Sequence, residues 1–131
     1  MEKPIIGAGV EEDVHPLILS SRVVGKSVFD REGTKLGHVD DLSIEKVEGR
    51  VIYGIISFGG FLGIGEKFHP VPWTLLTYDV ERDGFTVPLD PSELKGAPAY
   101  DRKELRELGG APSYRDEIFD YYGPYGAVPY L

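Results

Sequence analysis

The sequence predicts a mainly β domain, a small six-stranded antiparallel barrel with short helices at its C-terminal end. Three observations carry that expectation. Short apolar runs rich in β-branched residues recur from Ser20 to about Leu89, separated by the turn clusters "REGTK", "EGR" and "ERDG". No long amphipathic stretch interrupts them to carry a crossover helix. Helix start and stop signals begin only at Asp90.

The strands follow in order as "RVVGKSVFD", "LGHVDDLSIEKV", "VIYGIISF", "KFHPVPW", "LLTYDV" and "FTVPL". Gly33 supplies the positive φ that the first turn requires. In the second strand Val39 faces one way by period two, yet Leu42 and Ile44 fall in the opposite phase. One extra residue near Asp40–Asp41 restores the register, so a β-bulge is expected there. In "HPVPW" the missing N–H groups of Pro70 and Pro72 fall on one edge of the strand, which marks an edge strand or barrel seam. Trp73 is expected to anchor the barrel end.

Beyond Leu89 the pattern is helical punctuation. "DPSELKG" has Asp90 as N-cap, Pro91 at the first position, Glu93 at the third and Gly96 as the stop. "DRKELRELGG" repeats the device with Asp101 and Glu104, with Leu105 and Leu108 on one face. "SYRDEIFDYYG" spaces Tyr114, Ile118 and Tyr121 along one helical face. The final "PYGAVPYL" has no helical period. Five of the eight tyrosines lie from Tyr114 onward, too apolar a composition for a solvated linker, so the tail is expected to dock on the barrel or on a partner, with disorder until a partner binds as the alternative. The expected organisation is an N-terminal arm over 1–19, a barrel over 20–100 and a helical, Tyr/Gly/Pro-rich extension over 101–131.

With strands and turns placed, the chain resembles the PRC-barrel family from about Leu19 to Tyr100. The stretch from Val24 to Asp41 fits a "VGK-V-D--G--LG-V-D" frame, in which Gly25, Gly33, Gly37 and Asp41 are structural positions. "GEKFHPVPWTLL" is similar to a "G-----VPW--L" segment containing Pro72 and Trp73, and "PLDPSELKGAPAY" resembles the close. The family includes the cytoplasmic domain of a photosynthetic reaction-centre subunit and the C-terminal domain of a ribosome-maturation factor. The resemblance implies a barrel that works as an adaptor, here as a stand-alone member, and it transfers no catalytic residue set. It also implies an alternative role, a peripheral factor of a photosynthetic or other electron-transfer complex.

Composition narrows the function. The net charge of −8 argues against binding a phosphate backbone, so no nucleic acid is expected. Cysteine is absent, which removes disulfides, thiolate catalysis and thiolate metal sites. The longest apolar stretch, Val51 to Gly65, is too short and too glycine-rich to span a bilayer, and no basic n-region opens the chain. A cytoplasmic location without membrane insertion is expected.

The glycines of "GIISFGGFLGIGEK" invite a phosphate reading, and the motifs refuse it. Glu66 stands where a P-loop requires lysine, and Phe68 stands where the dinucleotide pattern from Gly63 and Gly65 needs glycine. No cofactor is expected. His38, Asp40 and His69 could be imagined as metal ligands, but nothing in their spacing brings them together, and no metal is expected. No "G-x-S-x-G" elbow or paired acid–base carboxylates occur, so no enzymatic activity is expected. The rival is a small-ligand or enzymatic site in the barrel mouth near His69, Trp73 and Tyr78.

The remaining clue is apolar excess. Ile56 and Phe58 occupy one face of their strand and Ile55 the other, and the following loop adds Phe61, Leu62 and Ile64. A barrel that buries only its inward face leaves some of these wet, and such clusters mark interfaces. The expected interface is Phe58, Phe61, Leu62, Ile64, Tyr121, Tyr122 and Tyr125. Its expected occupant is a protein, most simply a second copy in a homodimer.

Overall fold

The computed structural model describes residues 17–59, 67–107 and 112–128. Phe61, Leu62, Ile64, Leu108 and Gly109 lie outside the described residues. A short helix α1 (Ser20–Val23) comes first, where the pattern suggested the start of a strand. Gly25, at φ +96°, then redirects the chain, and its N–H donates to the Val39 carbonyl at 2.8 Å. The strand proper, β1, is Ser27–Phe29.

The turn after β1 is built on Asp30. Its buried carboxylate accepts from the N–H groups of Glu32 and Thr34, both at 2.9 Å, and Gly33 takes φ +90°. Strand β2 (Lys35–Ile44) returns antiparallel to β1 and then pairs antiparallel with β3 (Val51–Phe58). Val39 faces Ile56 and Asp41 faces Ile55, so Asp40 is the extra residue of a bulge where the phase slip placed one. Gly37 is needed for closeness: a Cβ there would lie 2.1 Å from the Ser57 carbonyl oxygen of β3. The β2–β3 turn uses Glu45, whose carboxylate accepts from Val47 and Glu48, with Gly49 at φ +76°.

β4 (Phe68–Pro72) pairs with β3 and lies at the sheet edge, as Pro70 and Pro72 required. Phe68, in the same phase as those prolines, exchanges two backbone hydrogen bonds of 2.9 Å with Tyr100. A 3-10 turn at Trp73–Leu75 then leads to β5 (Thr77–Asp79), which pairs antiparallel with β6 (Gly84–Thr86).

The sheet order is β4-β3-β2-β1-β6-β5, and β6 lies parallel to β1. The expected all-antiparallel barrel is therefore corrected to one mixed six-stranded sheet with β4 and β5 at its ends. The reason lies at Trp73–Leu75. A hairpin there would reverse the chain, whereas the 3-10 crossover carries it on without reversal, so β6 arrives pointing the same way as β1.

Register assigns the two faces. Val28, Val39, Ile56, Phe58, His69, Val71 and Phe85 share one face through direct or alternate pairing, and all are buried. Tyr53, Ile55 and Phe68 point the other way, where the C-terminal helices cover them. Those helices are α2 (Pro91–Lys95), α3 (Arg102–Glu107) and α4 (Pro112–Tyr122).

Helix α2 carries the expected capping box between Asp90 and Glu93 and buries Leu94. Asp101 and Glu104 exchange the same reciprocal pair of 2.8 Å bonds at α3. Helix α4 lies against β4, burying Ile118, Phe119 and Tyr122, with Phe119 5.8 Å from the Tyr53 ring. Tyrosines hold this layer in place. Tyr100 donates to the Glu117 carboxylate, Tyr121 to the Glu93 carbonyl, and Tyr125 to Glu93 Oε2 at 3.2 Å. The described part of the tail thus docks on the chain's own sheet, and β3 is buried on both faces rather than one.

Candidate interaction surface

Among the described residues few large apolar side chains are exposed, and apart from Val80 and Val128 they fall in two groups. Leu17 is 85% exposed and Leu19 71%, with Ile18 and Val24 also exposed around α1. A second pair, Ile44 and the 88%-exposed Val47, stands at the tip of the β2–β3 hairpin. The first group joins four large apolar residues within eight positions of the chain, which singles it out as a contact surface.

Strand lengths create a further feature. β2 has ten residues and β1 only three, so the far half of β2 runs past its neighbour. Beside this overhang a groove of about 370 Å³ is lined by Asp41, Leu42, Ser43 and Ile55 from the sheet and by Arg102, Leu105 and Arg106 from α3. Arg102 is held by two contacts: its guanidinium lies 4.3 Å from the centre of the Phe68 ring and 3.4 Å from Asp40 Oδ2. No described residue pairs with Arg106, which is exposed.

The expected interface residues separate. Phe58 is buried, stacked edge-on against His69 with ring centres 4.8 Å apart, and Tyr122 is buried beneath α4. Tyr121 and Tyr125 are half-buried and clasp α2 through Glu93. Within this fold Phe58 and Tyr122 serve the core, and Tyr121 and Tyr125 join helix to helix. Phe61, Leu62 and Ile64 are outside the described residues.

The proposed mouth site is not assembled as imagined. Trp73 and Tyr78 both pack on Phe85, at 5.5 and 5.6 Å, whereas His69 packs on Phe58. The cleft beside Trp73 holds about 170 Å³, below the ~300 Å³ at which small-molecule pockets begin. Tyr78 instead donates to Asp83 at 2.6 Å, and Lys26 donates to the same oxygen at 2.7 Å. These donors, Lys26 first and then Tyr78, hold the Asp83 carboxyl below its ordinary range. Asp83 occupies φ +51° in the β5–β6 turn, so the triad fixes a strained turn.

His69 is the unusual titratable group. It is 0% exposed, and among the described residues neither ring nitrogen has a hydrogen-bond partner. Burial pushes its pKa down from 6.5 to about 4, so it is neutral at ordinary pH. His38 is exposed and pairs across to Ser57, while His69 pairs with Ile56, so the two histidines occupy opposite faces of the sheet. Among the described residues no cluster of three potential metal ligands occurs. Burial of the opposite-facing His69 was missed in sequence because "KFHPVPW" looks polar at that position. Its signal was the register with Ile56.

The mixed sheet, the "VPW" edge strand and the α2 cap together define a small β domain of a known kind. The chain belongs to the PRC-barrel domain family, whose family model matches residues 16–94. Comparison with curated proteins gave no match. Among the described residues no helix is long and apolar enough to cross a membrane.

Proposed function

We propose that this protein is a non-enzymatic adaptor that binds another protein through the exposed apolar segment around α1. The observation that supports it is the exposure of Leu17, Ile18, Leu19 and Val24 beside a sheet whose two faces are already filled by the chain itself. Full burial of each such side chain against a partner returns roughly 1.5–3 kcal/mol. The buried polar groups do not suggest chemistry: Asp30 shapes a turn, and His69 has no partner among the described residues through which to pass a proton.

The simplest partner is a second copy, and Phe61, Leu62 and Ile64, marked by the sequence as interface residues, are included in that reading. With a net charge of −8 a protein surface suits the molecule better than anionic lipid, and a cytoplasmic setting is proposed with it. Size-exclusion chromatography with light scattering, at tens of micromolar, tests self-association. A dimer in the wild type that Leu17→Asp or Phe61→Glu converts to monomer supports it. A wild-type monomer indistinguishable from both variants removes the homodimer and leaves only a foreign partner.

A further inference from the structure

The overhang of β2 carries information that neither the family match nor the apolar arm supplies. Glu45 N–H donates to the Arg50 carbonyl at 2.7 Å, which makes Ile44 and Val51 a pair without direct bonds to each other. In an antiparallel ladder the N–H and C=O of such a residue point away from the partner strand. Leu42, two residues earlier and opposite Gly54, points the same way. At Val39 the corresponding outward groups are taken by Lys26 and Gly25, at 2.9 and 2.8 Å. Beyond Val39 the β1 side of the ladder is vacant among the described residues. Among the described residues, only the Leu42 N–H of the outward groups on Leu42 and Ile44 has a partner, the neighbouring Asp41 carboxylate at 2.8 Å.

The other strand edges are managed differently. Pro70 and Pro72 remove donors from β4 and Tyr100 occupies Phe68, while β5 is only three residues long. The β2 overhang has only a carboxylate laid over one N–H, a cover that a visiting strand can displace.

We propose that this edge accepts an extended segment of another protein by strand addition, and that the segment alternates acidic and apolar side chains. The inference rests on the adaptor reading and names the class of partner. Alternation follows from the pleat. One face of an added strand meets α3 across the groove, and the other meets Leu42 and the exposed Ile44. The charge preference follows from the groove wall. Arg102 and Arg106 line it, and the one carboxylate among its described lining residues, Asp41, is already engaged with backbone. Arg106 has no ion-pair partner among the described residues and is free to take a carboxylate. A second copy of this chain fits poorly here. Antiparallel self-pairing centred on Ser43 sets Asp41 opposite Glu45, and like charges directly across a ladder destabilise it.

The test is a residue-resolved titration of the whole ¹⁵N-labelled protein. The probe is a capped heptapeptide alternating valine and glutamate, with the valine–lysine counterpart as control. The expected result is saturable amide shifts confined to Leu42–Ile44 and α3, slowed amide exchange at Ile44, and weakening with salt. Ile44→Pro removes an N–H that no described residue outside the ladder accepts, and should abolish the slowed exchange and the binding. Arg106→Glu, at an exposed position, should weaken the glutamate peptide roughly fivefold and leave unfolding unchanged. The proposal is overturned by equal or stronger binding of the lysine peptide, by shifts elsewhere, by concentration-dependent shifts at Leu42–Ile44 without peptide, or by no binding at millimolar peptide. Loss of the edge in this test, with a partner still held through Leu17–Leu19, would leave the adaptor reading standing alone.

Discussion

Acidification should unfold this protein earlier than its exposed carboxylates require, and His69 is the reason. Its imidazole is fully buried against Phe58 with both nitrogens unpaired among the described residues, and its pKa falls from 6.5 to about 4. Above the unfolded value both states hold the ring neutral, and its contribution to pH dependence is nil. Between 6.5 and about 4 the unfolded chain binds a proton that the folded chain refuses, so stability falls as pH falls through that window. A shift of this size corresponds to about 3 kcal/mol once both values are passed. That is a large fraction of the ~5–15 kcal/mol that holds a typical domain together. The assay is urea unfolding of the wild type and His69→Leu at a series of pH values from about 7.5 to about 4.5. Leucine keeps the volume and cannot charge, so the variant should lose about 2–3 kcal/mol less across the series. At neutral pH it should match or exceed the wild type by about 1 kcal/mol, because two unsatisfied buried nitrogens are gone. Parallel pH profiles for the two proteins would refute the assignment of the acid sensitivity to His69.

Further outcomes follow from single contacts. Gly37→Ala places a methyl 2.1 Å from the Ser57 carbonyl, and thermal unfolding should show a loss of about 3 kcal/mol or more because backbone, not a flexible side chain, is in the way. Asp90→Ala breaks the α2 capping box and should cost about 1 kcal/mol in urea unfolding. Tyr122→Phe removes a buried hydroxyl that has no partner among the described residues; calorimetry should find it neutral or stabilising by about 1 kcal/mol, and a marked loss would reveal a bonded hydroxyl.

Local chemistry was the legible part of this fold. The phase slip between Val39 and Leu42 announced the Asp40 bulge, alternating Pro70 and Pro72 announced an edge, and Asp90 and Asp101 announced the two capping boxes. Each is a device of a few adjacent residues, so its signal is local too. Strand partnership is not local. Nothing in "VPWTLL" distinguishes a hairpin from the 3-10 crossover that makes β6 parallel to β1. The same limit governed the candidate surface. Ile55 reads as surplus grease on a half-buried strand, but it is buried, and α3, nearly fifty residues later in the chain, lies on its side of the sheet. The open edge at Leu42–Ile44 was hidden for a related reason, since it exists only because β1 stops short of β2.

The central claim, that the segment around α1 is a protein-binding surface, is tested most directly by site-specific photo-cross-linking in the native cell. A photoreactive phenylalanine analogue placed at Leu19 should give one dominant covalent protein adduct of defined mass, lost on Leu17→Asp and absent when the analogue replaces the exposed Lys95 on α2 instead. No adduct at position 19, or the same adducts from both positions, would contradict the assignment of that surface.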